Sequence, residues 1–330
     1  MAYESEREAA IEACRAASRL CERVRAEMAP DAMEKQDRSP VTVADFGSQA
    51  VICQALAEAF PQDAVVAEED AAALRRPDGA ASLQQVTHYV QAIVPTAHAE
   101  AVASWIDRGN GSVGPRYWTL DPIDGTKGFL RGDQYAITLA LVEGGEVKVG
   151  VLGCPSLSVD AGPLAGETGL LFAAVRHQGA TMEPLAGGSP HPIGVATQDA
   201  SKLRFVEGVE PAHSDHTQQA ELAQRVGITA PSLRVDSQAK YGTVACGQAA
   251  LYLRLPPPQN PGYRENVWDH AAGTIVVEEA GGRVTDMHGR ALDFTQGAKL
   301  ERNQGVIVSN GALHDAVLQA LREQQQAVSG

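Results

Sequence analysis

The chain has 330 residues, and its 41 acidic and 27 basic side chains give a formal net charge of −14 at pH 7. This charge argues against a nucleic-acid-binding surface, because a polyanion would be repelled. Hydrophobic residues make up 44% of the chain, enough for a sizeable core, and only 5% are aromatic, so that core should be mainly aliphatic. The length suits one large domain or two ordinary ones.

The cysteines and the N-terminus bear on the compartment. The five cysteines are scattered and none is spaced Cys-x-x-Cys, so they indicate no zinc site and fit a reducing compartment such as the cytoplasm. The acidic N-terminal stretch lacks the features of a signal or transit peptide. No run of about 18 apolar residues predicts a membrane span. We therefore expect a monomer or weak oligomer without a membrane partner.

The first half of the chain predicts helices followed by an antiparallel sheet. Apolar residues at helical spacing predict a helix over 5–28 and a second helix that runs from a Pro-marked loop to about residue 60. A short strand is predicted at 65–67. Within residues 71–114, helical stretches are predicted at 82–94 and 97–107. We interpret the whole segment as a lid or an ornament. Four strands follow, at 117–120, 135–142, 147–152 and 169–176.

The second half alternates between helices and strands. A Pro/Gly-rich tract at 184–192 is typical of a domain boundary. Beyond it, strands are predicted at 193–197, 203–207, 232–235, 250–255, 283–286 and 305–309. Helices are predicted at 215–226, 238–248, 266–280 with Asn266 as N-cap, and 311–325. This alternation predicts an α/β layer packed beside the antiparallel sheet of the first half.

One hexapeptide, Asp-Pro-Ile-Asp-Gly-Thr at 121–126, places two carboxylates three residues apart on a predicted stiff turn. Its proline fixes one φ angle, and Gly125 permits a backbone conformation that other residues resist. Asp121, Asp124 and the carbonyl of Ile123 form an oxygen set that suits a hard cation such as Mg²⁺. Thr126 adds a hydroxyl. The alternative is an acidic surface turn, because turns favour Asp and Gly.

Three further acidic residues lie beside predicted elements. Asp45 falls near the start of the second helix, where the helix dipole favours a negative charge. Glu68 follows the strand at 65–67, and Asp269 lies near the start of a late helix. Taken singly, Asp45 is equally well interpreted as a solvated helix-start carboxylate and Glu68 as part of a charged loop.

In this order the pieces resemble the inositol monophosphatase-like superfamily of Mg²⁺-dependent, lithium-sensitive phosphatases, from about Lys35 to Asn310. Several stretches resemble its 3′(2′),5′-bisphosphate nucleotidase branch more closely, namely 39–45, 67–70, 125–136, Ser-Gln-Ala-Lys-Tyr at 237–241 and Trp-Asp-His-Ala-Ala-Gly at 268–273. The resemblance, together with the order of elements, implies an α+β or α/β fold in the form of a layered αβαβα sandwich. We expect an N-terminal domain over 1–187, with the antiparallel sheet and most metal ligands, and a smaller C-terminal α/β domain over 188–330.

The resemblance also implies a reaction, the removal of the 3′-phosphate from adenosine 3′,5′-bisphosphate to give AMP and phosphate. The sulfated relative, 3′-phosphoadenylyl sulfate, would be a second substrate. One alternative is a phosphatase of the same superfamily that acts on an inositol phosphate or inositol 1,4-bisphosphate, and the stretch at 237–241 argues against it. Another is a non-catalytic sensor of adenosine bisphosphate. An intact pair of Asp45 and Thr126 argues against that one, because a pure binder needs no general base.

Residue roles follow from the same resemblance. Two or three Mg²⁺ ions are expected, the first held by Glu68, Asp121 and the carbonyl of Ile123, and the second by Asp121, Asp124 and Asp269. Thr126 and Asp45 would form the dyad that takes a proton from the attacking water. The expected substrate-binding residues are Thr126, His213 (with His216 as its alternative), Ser237, Lys240, Arg254 and Asp269.

Overall fold

The structure is a computed structural model that describes residues 2–27, 33–34, 40–197, 203–209, 216–257 and 259–329. Its helices are α1 (Glu4–Glu27), α2 (Val43–Ala59), α3 (Ala80–Gln91), α4 (Ala99–Asp107), α5 (Thr126–Arg131), α6 (His216–Arg225), α7 (Ala239–Ala245), α8 (Ala271–Glu279) and α9 (His314–Ser329). None of these helices is long and apolar enough to cross a bilayer, over the ranges just given.

The strands form two main sheets and one short hairpin. They are β1 (Met33–Glu34), β2 (Pro40–Val41), β3 (Ala64–Ala67), β4 (Arg116–Asp124), β5 (Ala136–Glu143), β6 (Glu146–Ser158), β7 (Thr168–Val175), β8 (Ala180–Pro184), β9 (His191–Pro192), β10 (Phe205–Glu207), β11 (Leu233–Arg234), β12 (Leu251–Arg254), β13 (Arg283–Thr285) and β14 (Val306–Ser309). Strands β1 and β2 pair with each other. The larger sheet has the order β3-β4-β5-β6-β7-β8-β9, and the smaller has the order β11-β10-β12-β14-β13.

The two sheets alternate with three layers of helices. Helices α1 and α2 cover one face of the larger sheet, around Leu20, Ile52 and Trp118. Helices α7 and α8 lie between the sheets, where Tyr241 and Ile275 are buried. Helices α6 and α9 cover the outer face of the smaller sheet. The predicted αβαβα sandwich is confirmed, and the aliphatic core lies between its layers.

Residues 71–114 are neither a lid nor an ornament. Helices α3 and α4 pack against α2 and bury Val90 and Ile106, so they extend the outer helical layer. Strand β3 runs parallel to β4. Because parallel neighbours need a long connection, this segment serves as the crossover between the two strands.

The first four residues of the hexapeptide at 121–126 belong to a strand rather than to a free turn. Strand β4 continues to Asp124 and pairs with Thr138 and Ala136 of β5, with an irregularity between Asp121 and Asp124. Helix α5 then begins at Thr126. The two aspartates therefore lie on either side of a break in the regular pairing of β4 with β5.

Two other predictions are wrong. The strand expected at 193–197 is absent, and the backbone pairs instead at His191–Pro192 in β9. Asn266 is not an N-cap, because it forms an isolated bridge with Lys299 and α8 begins only at Ala271. Pairing with a distant segment therefore replaces the first turns of the expected helix.

Candidate active site

The start of α5 places a threonine hydroxyl against a buried carboxylate. Gly125 has a φ of +87°, which lets the chain leave β4 and enter α5 within one residue. The hydroxyl oxygen of Thr126 then lies 3.3 Å from Oδ1 of Asp45 and 3.2 Å from the carbonyl oxygen of Ile123. The structure thus brings together the two residues expected to form the dyad, and their catalytic role stays a prediction.

Asp45 is fixed by the N-terminus of its own helix. Thr42 caps α2, and both its backbone N–H and its hydroxyl donate to Oδ2 of Asp45, at 2.7 and 2.6 Å. The side chain of Asp45 is buried. One carboxylate oxygen is therefore held by the cap while the other faces Thr126.

Asp121 lies beside this dyad at the end of β4. Its carboxylate is buried and accepts a hydrogen bond from the backbone N–H of Ile123 at 3.0 Å. Burial raises the pKa of Asp121 well above its usual range, and the negative charges of Glu68, Asp124 and Asp269 raise it further. Four acidic side chains from three distant segments therefore act on one another electrostatically.

Asp269 and Asp124 behave in the same way. Burial raises the pKa of Asp269 well above normal, with further contributions from Asp124, Glu265 and Glu68. Burial also raises the pKa of Asp124, although the cation of Lys240 acts against it. A cluster of this kind is electrostatically incomplete by itself, because its carboxylates repel one another when ionised.

The donor set fits a divalent cation in its chemistry. Carboxylates and a backbone carbonyl are the ligands that Mg²⁺ prefers, and a cation would relieve the repulsion within the cluster. The positions of the side chains do not yet match this chemistry. Within the described parts of the chain, no three His, Cys, Asp or Glu side chains already surround a single cation position. The ligands named from the sequence therefore lie near one another without enclosing an ion.

The segment that carries Glu68, at the end of β3, is held by hydrogen bonds between Gln49 and the next residue, Glu69. Gln49 on α2 accepts from the backbone N–H of Glu69 at 3.0 Å, and its amide nitrogen donates to the Glu69 carbonyl at 2.5 Å and to the Ile106 carbonyl at 2.9 Å. The buried amide of Gln49 thereby ties the acidic segment to α2 and α4. The sequence pattern gave Gln49 no role, because a lone glutamine on a helix has no distinguishing spacing.

Gln238 is a second residue that the sequence reasoning missed. Its backbone N–H donates to Oδ2 of Asp124 at 2.6 Å. Its side-chain nitrogen donates to the Trp268 carbonyl at 2.8 Å, and its oxygen accepts from the backbone N–H of Gly273 at 3.3 Å. The residue is buried, so it joins the segment of Asp124 to the segment of Asp269. Its place within the stretch at 237–241 was the available signal.

Ser237 and Lys240, two of the residues expected to bind substrate, lie near the acidic cluster. Ser237 adopts a φ of +66°, rare for a residue with a side chain, directly beside Gly125. Lys240 is buried, with Nζ 5.1 Å from the centre of the Tyr252 ring. Burial lowers the pKa of Lys240 to about 8, with Asp124 acting in the opposite direction. Two cationic or polar side chains thus flank the carboxylates.

Three further residues are expected to contact the substrate, namely Arg254, Asp269 and His213. Arg254 donates from Nε to Oε1 of Glu265 at 3.1 Å, and its side chain is 27% exposed. Asp269 accepts a hydrogen bond from the side chain of Asn266 at 3.1 Å. His213 lies outside the described residues, and His216 is the first residue of α6.

All five cysteines are free thiols, and none is among the residues expected at the site. Cys14, Cys21, Cys53 and Cys154 are buried, as expected for small apolar side chains. Burial raises the pKa of Cys246, the fifth, to about 11. Thiols held in this protonated form are poor nucleophiles.

Comparison with known proteins identifies the family. The sequence model of the inositol monophosphatase family matches residues 2–326. The chain belongs to the inositol monophosphatase family. The resemblance inferred from the sequence is confirmed over almost the whole chain.

Relatives within this family are similar along their full length. The 3′(2′),5′-bisphosphate nucleotidase of Emericella nidulans is 42% identical, over 98% of this chain and 99% of its own. The protein of the same name from Oryza sativa is 43% identical, over 99% and 97%. That from Schizosaccharomyces pombe is 42% identical, over 97% and 96%. The nucleotidase branch is therefore the one that the chain resembles.

Solved structures agree with the fold. The IMPase of Thermotoga maritima superposes with a TM-score of 0.64 at 23% identity, covering 96% of this chain and 97% of its own. The inositol monophosphatase from Anabaena gives a TM-score of 0.63 at 22% identity, covering 98% and 97%. At this identity the likeness shows the shared architecture alone.

Proposed function

We propose that this family member is a 3′(2′),5′-bisphosphate nucleotidase, a phosphomonoester hydrolase that converts adenosine 3′,5′-bisphosphate to AMP and phosphate. The observation that carries the proposal is the contact between Thr126 and Asp45 beside the acidic cluster. It occurs in a chain that is 42% identical, over nearly its whole length, to a protein of that name. The sulfated relative, 3′-phosphoadenylyl sulfate, is proposed as a second substrate.

Hydrolysis joins a water oxygen to phosphorus and breaks the bond between phosphorus and the ribose 3′-oxygen. Thr126 takes up a proton from the attacking water while its own hydroxyl proton passes to Oδ1 of Asp45. The contacts from Thr42 hold Oδ2 of Asp45, so the accepting oxygen keeps its direction toward Thr126. The ribose 3′-oxygen leaves with the nucleoside 5′-phosphate and takes a proton from solvent to become the 3′-hydroxyl of AMP, and Asp45 returns its proton to solvent.

The acidic cluster has a separate task, since it cannot bind a dianionic phosphate unaided. Two or three Mg²⁺ ions, held by Glu68, Asp121, the Ile123 carbonyl, Asp124 and Asp269, would supply the positive charge that phosphoryl transfer requires. Gln49 and Gln238 keep the segments of these ligands together.

Selectivity is assigned to the cations beside the cluster. Lys240 and Arg254 pair with the 5′-phosphate, because charge-assisted hydrogen bonds to phosphate oxygens are strong. Ser237 donates its hydroxyl and Asp269 contacts the ribose side, and His213 is kept as a nucleotide contact from the family likeness. An inositol phosphate has no nucleoside 5′-phosphate to occupy these cations, and the nucleotidase relatives do not favour that alternative.

The position of cleavage tests the proposal. Purified protein is incubated with adenosine 3′,5′-bisphosphate and Mg²⁺, and the nucleotide product is separated by chromatography against both adenosine monophosphates. The proposal predicts AMP with its phosphate at the 5′ position and one equivalent of inorganic phosphate. Accumulation of the 3′-monophosphate would contradict it, and binding without any release would favour the sensor.

A further inference from the structure

A row of buried side chains, each in contact with the next, leads from the core to Arg254. Its Nε donates to Oε1 of Glu265 at 3.1 Å, and the other carboxylate oxygen of Glu265 lies 3.4 Å from Nε2 of His270. The second ring nitrogen of His270 lies 2.7 Å from the hydroxyl of Tyr241. Glu265, His270 and Tyr241 are buried, whereas the Arg254 side chain is 27% exposed. The row therefore runs from the core outward and ends on a partly exposed arginine side chain.

The contact to Nε constrains the guanidinium more than a contact to one terminal nitrogen would. The guanidinium is planar, so a carboxylate on Nε fixes the direction in which the terminal nitrogens project. Glu265 is buried and its Oε1 accepts from Nε of Arg254, while its Oε2 lies 3.4 Å from Nε2 of His270 without forming a hydrogen bond. Arg254 is thus oriented before any ligand arrives.

Arg254 lies near a second cation, Lys240, and near the carboxylates of Glu265 and Asp269. Burial lowers the pKa of Lys240 and the nearby charge of Arg254 lowers it further, whereas Asp124 and Asp236 raise it. Lys240 is buried beneath the aromatic ring of Tyr252. Carboxylates balance part of the charge of both cations, and a phosphate that contacts the two would add a charge-assisted hydrogen bond to each.

We propose that Glu265 is a positioning residue that aims the terminal nitrogens of Arg254 at the 5′-phosphate of the nucleotide. Its contribution is to the preference for a 3′,5′-bisphosphate over a nucleoside 3′-monophosphate, and not to cleavage of the 3′-phosphate. The inference rests on the proposed function, since it assumes a nucleotide substrate with a second phosphate. Pre-orientation of the guanidinium lowers the ordering cost of binding, which appears in KM.

The test compares two substrates in Glu265→Gln, which keeps the shape of the side chain and removes its charge. Initial rates of phosphate release are measured with adenosine 3′,5′-bisphosphate and with adenosine 3′-monophosphate, at saturating Mg²⁺. We expect KM for the bisphosphate to rise about tenfold, the effect of one weakened charge-assisted contact, with kcat and the 3′-monophosphate rates within about twofold of wild type. An equal loss on both substrates, or no loss on either, would overturn the inference.

A matched control exists at the far edge of the larger sheet. Glu183 on β8 is as buried as Glu265 and pairs with Nη2 of Arg15 at 3.0 Å. Glu183→Gln removes a similar buried ion pair and should leave the ratio of kcat/KM values for the two substrates unchanged. If it changes that ratio as much as Glu265→Gln does, the effect is one of general stability and the inference is wrong.

Two more variants keep the test decisive if Glu265→Gln folds poorly. Glu265→Asp retains the charge on a shorter side chain and should show a smaller rise in KM for the bisphosphate. Arg254→Lys retains a cation without the planar fork, and adding Glu265→Gln to it should cost little more, because the two residues act through one contact. Additive losses would overturn the inference. Wild-type turnover of inositol 1-phosphate alone would instead defeat the proposed function.

Discussion

The hydroxyl oxygen of Thr126 lies 3.3 Å from Oδ1 of Asp45, across 81 residues of sequence. Each partner is fixed by its own helix start, Asp45 by the capping box of α2 and Thr126 by the left-handed Gly125 before α5. Two helix N-termini thus meet at the end of β4, beside Asp121. In the proposed mechanism, this meeting lets the proton of the attacking water pass through Thr126 to Asp45.

Removing the Thr126 hydroxyl should stop proton transfer while preserving the fold. Thr126→Val is expected to lower kcat by about 100-fold or more, in the range of general acid–base contributions. Thr126→Ser keeps the hydroxyl and should retain much of the activity. Steady-state phosphate release and thermal unfolding of both variants check this. Equal activity in Thr126→Val and Thr126→Ser would remove the hydroxyl from the account.

Asp121 is the carboxylate expected to be shared between cations, so Asp121→Asn should abolish turnover. Little change in folding is expected, since the substitution removes one of several mutually repelling charges and keeps the side-chain shape. The measurement is phosphate release together with thermal unfolding in EDTA. Asp133→Asn, which alters an exposed carboxylate paired with Arg131, serves as the control and should remain active. Activity retained in Asp121→Asn would refute the assignment of its role.

A divalent cation that binds only the folded cluster should stabilise it. Mg²⁺ is expected to raise the unfolding temperature of the wild-type protein relative to EDTA, by mass action on the native state. The increase should be much smaller in Asp121→Asn. Differential scanning fluorimetry over a Mg²⁺ series measures both. An identical increase in the two proteins would indicate that the cation binds elsewhere.

The buried position of His314 leads us to expect a loss of stability in mild acid. This loss does not depend on the candidate active site. It is buried between the hydroxyls of Ser309 and Thr285, each at 2.8 Å. Burial, with a contribution from Arg283, lowers the pKa of His314 to about 4 from an ordinary value of 6.5. Between these values the unfolded chain binds a proton that the native protein does not, so the free energy of unfolding falls as pH falls, by up to about 3 kcal/mol.

Urea unfolding at pH 7 and pH 4.5 measures this loss. His314→Gln should have a smaller difference between the two pH values than the wild-type protein, although its stability at pH 7 is lower because two buried hydrogen bonds change. His88→Gln, at an exposed position on α3, should behave as the wild type does. The same pH difference in His314→Gln and His88→Gln would show that other groups cause it.

The fold was predictable where a segment's own pattern determines it. Helix α1 and strands β5 and β7 lie within a residue or two of their predicted bounds, because their apolar periodicity is uninterrupted. The prediction that Asn266 is an N-cap is wrong for the opposite reason. Its segment pairs with residues near Lys299, a contact that local propensity does not reveal. The first four residues of the hexapeptide likewise lie in β4 because β5 pairs with them.

The candidate site shows the same division. The acidic residues and the Asp45–Thr126 pair could be named from the sequence because their stretches resemble a family, and the structure places them near one another. The residues that support them could not be named. Gln49 and Gln238 act through buried backbone contacts, and Glu265 acts through Arg254, so their roles exist only after distant segments meet.

The central claim is that this acidic cluster, with Thr126 and Asp45, hydrolyses the 3′-phosphate of a nucleotide bisphosphate in a cation-dependent manner. The most direct measurement is the rate of phosphate release from adenosine 3′,5′-bisphosphate, 3′-phosphoadenylyl sulfate and inositol 1-phosphate, in Mg²⁺, in EDTA and with added lithium. We expect fast release from the two nucleotides in Mg²⁺ alone, with loss in EDTA and inhibition by lithium. Release from inositol 1-phosphate at an equal or higher rate, or turnover that persists in EDTA, would contradict the account.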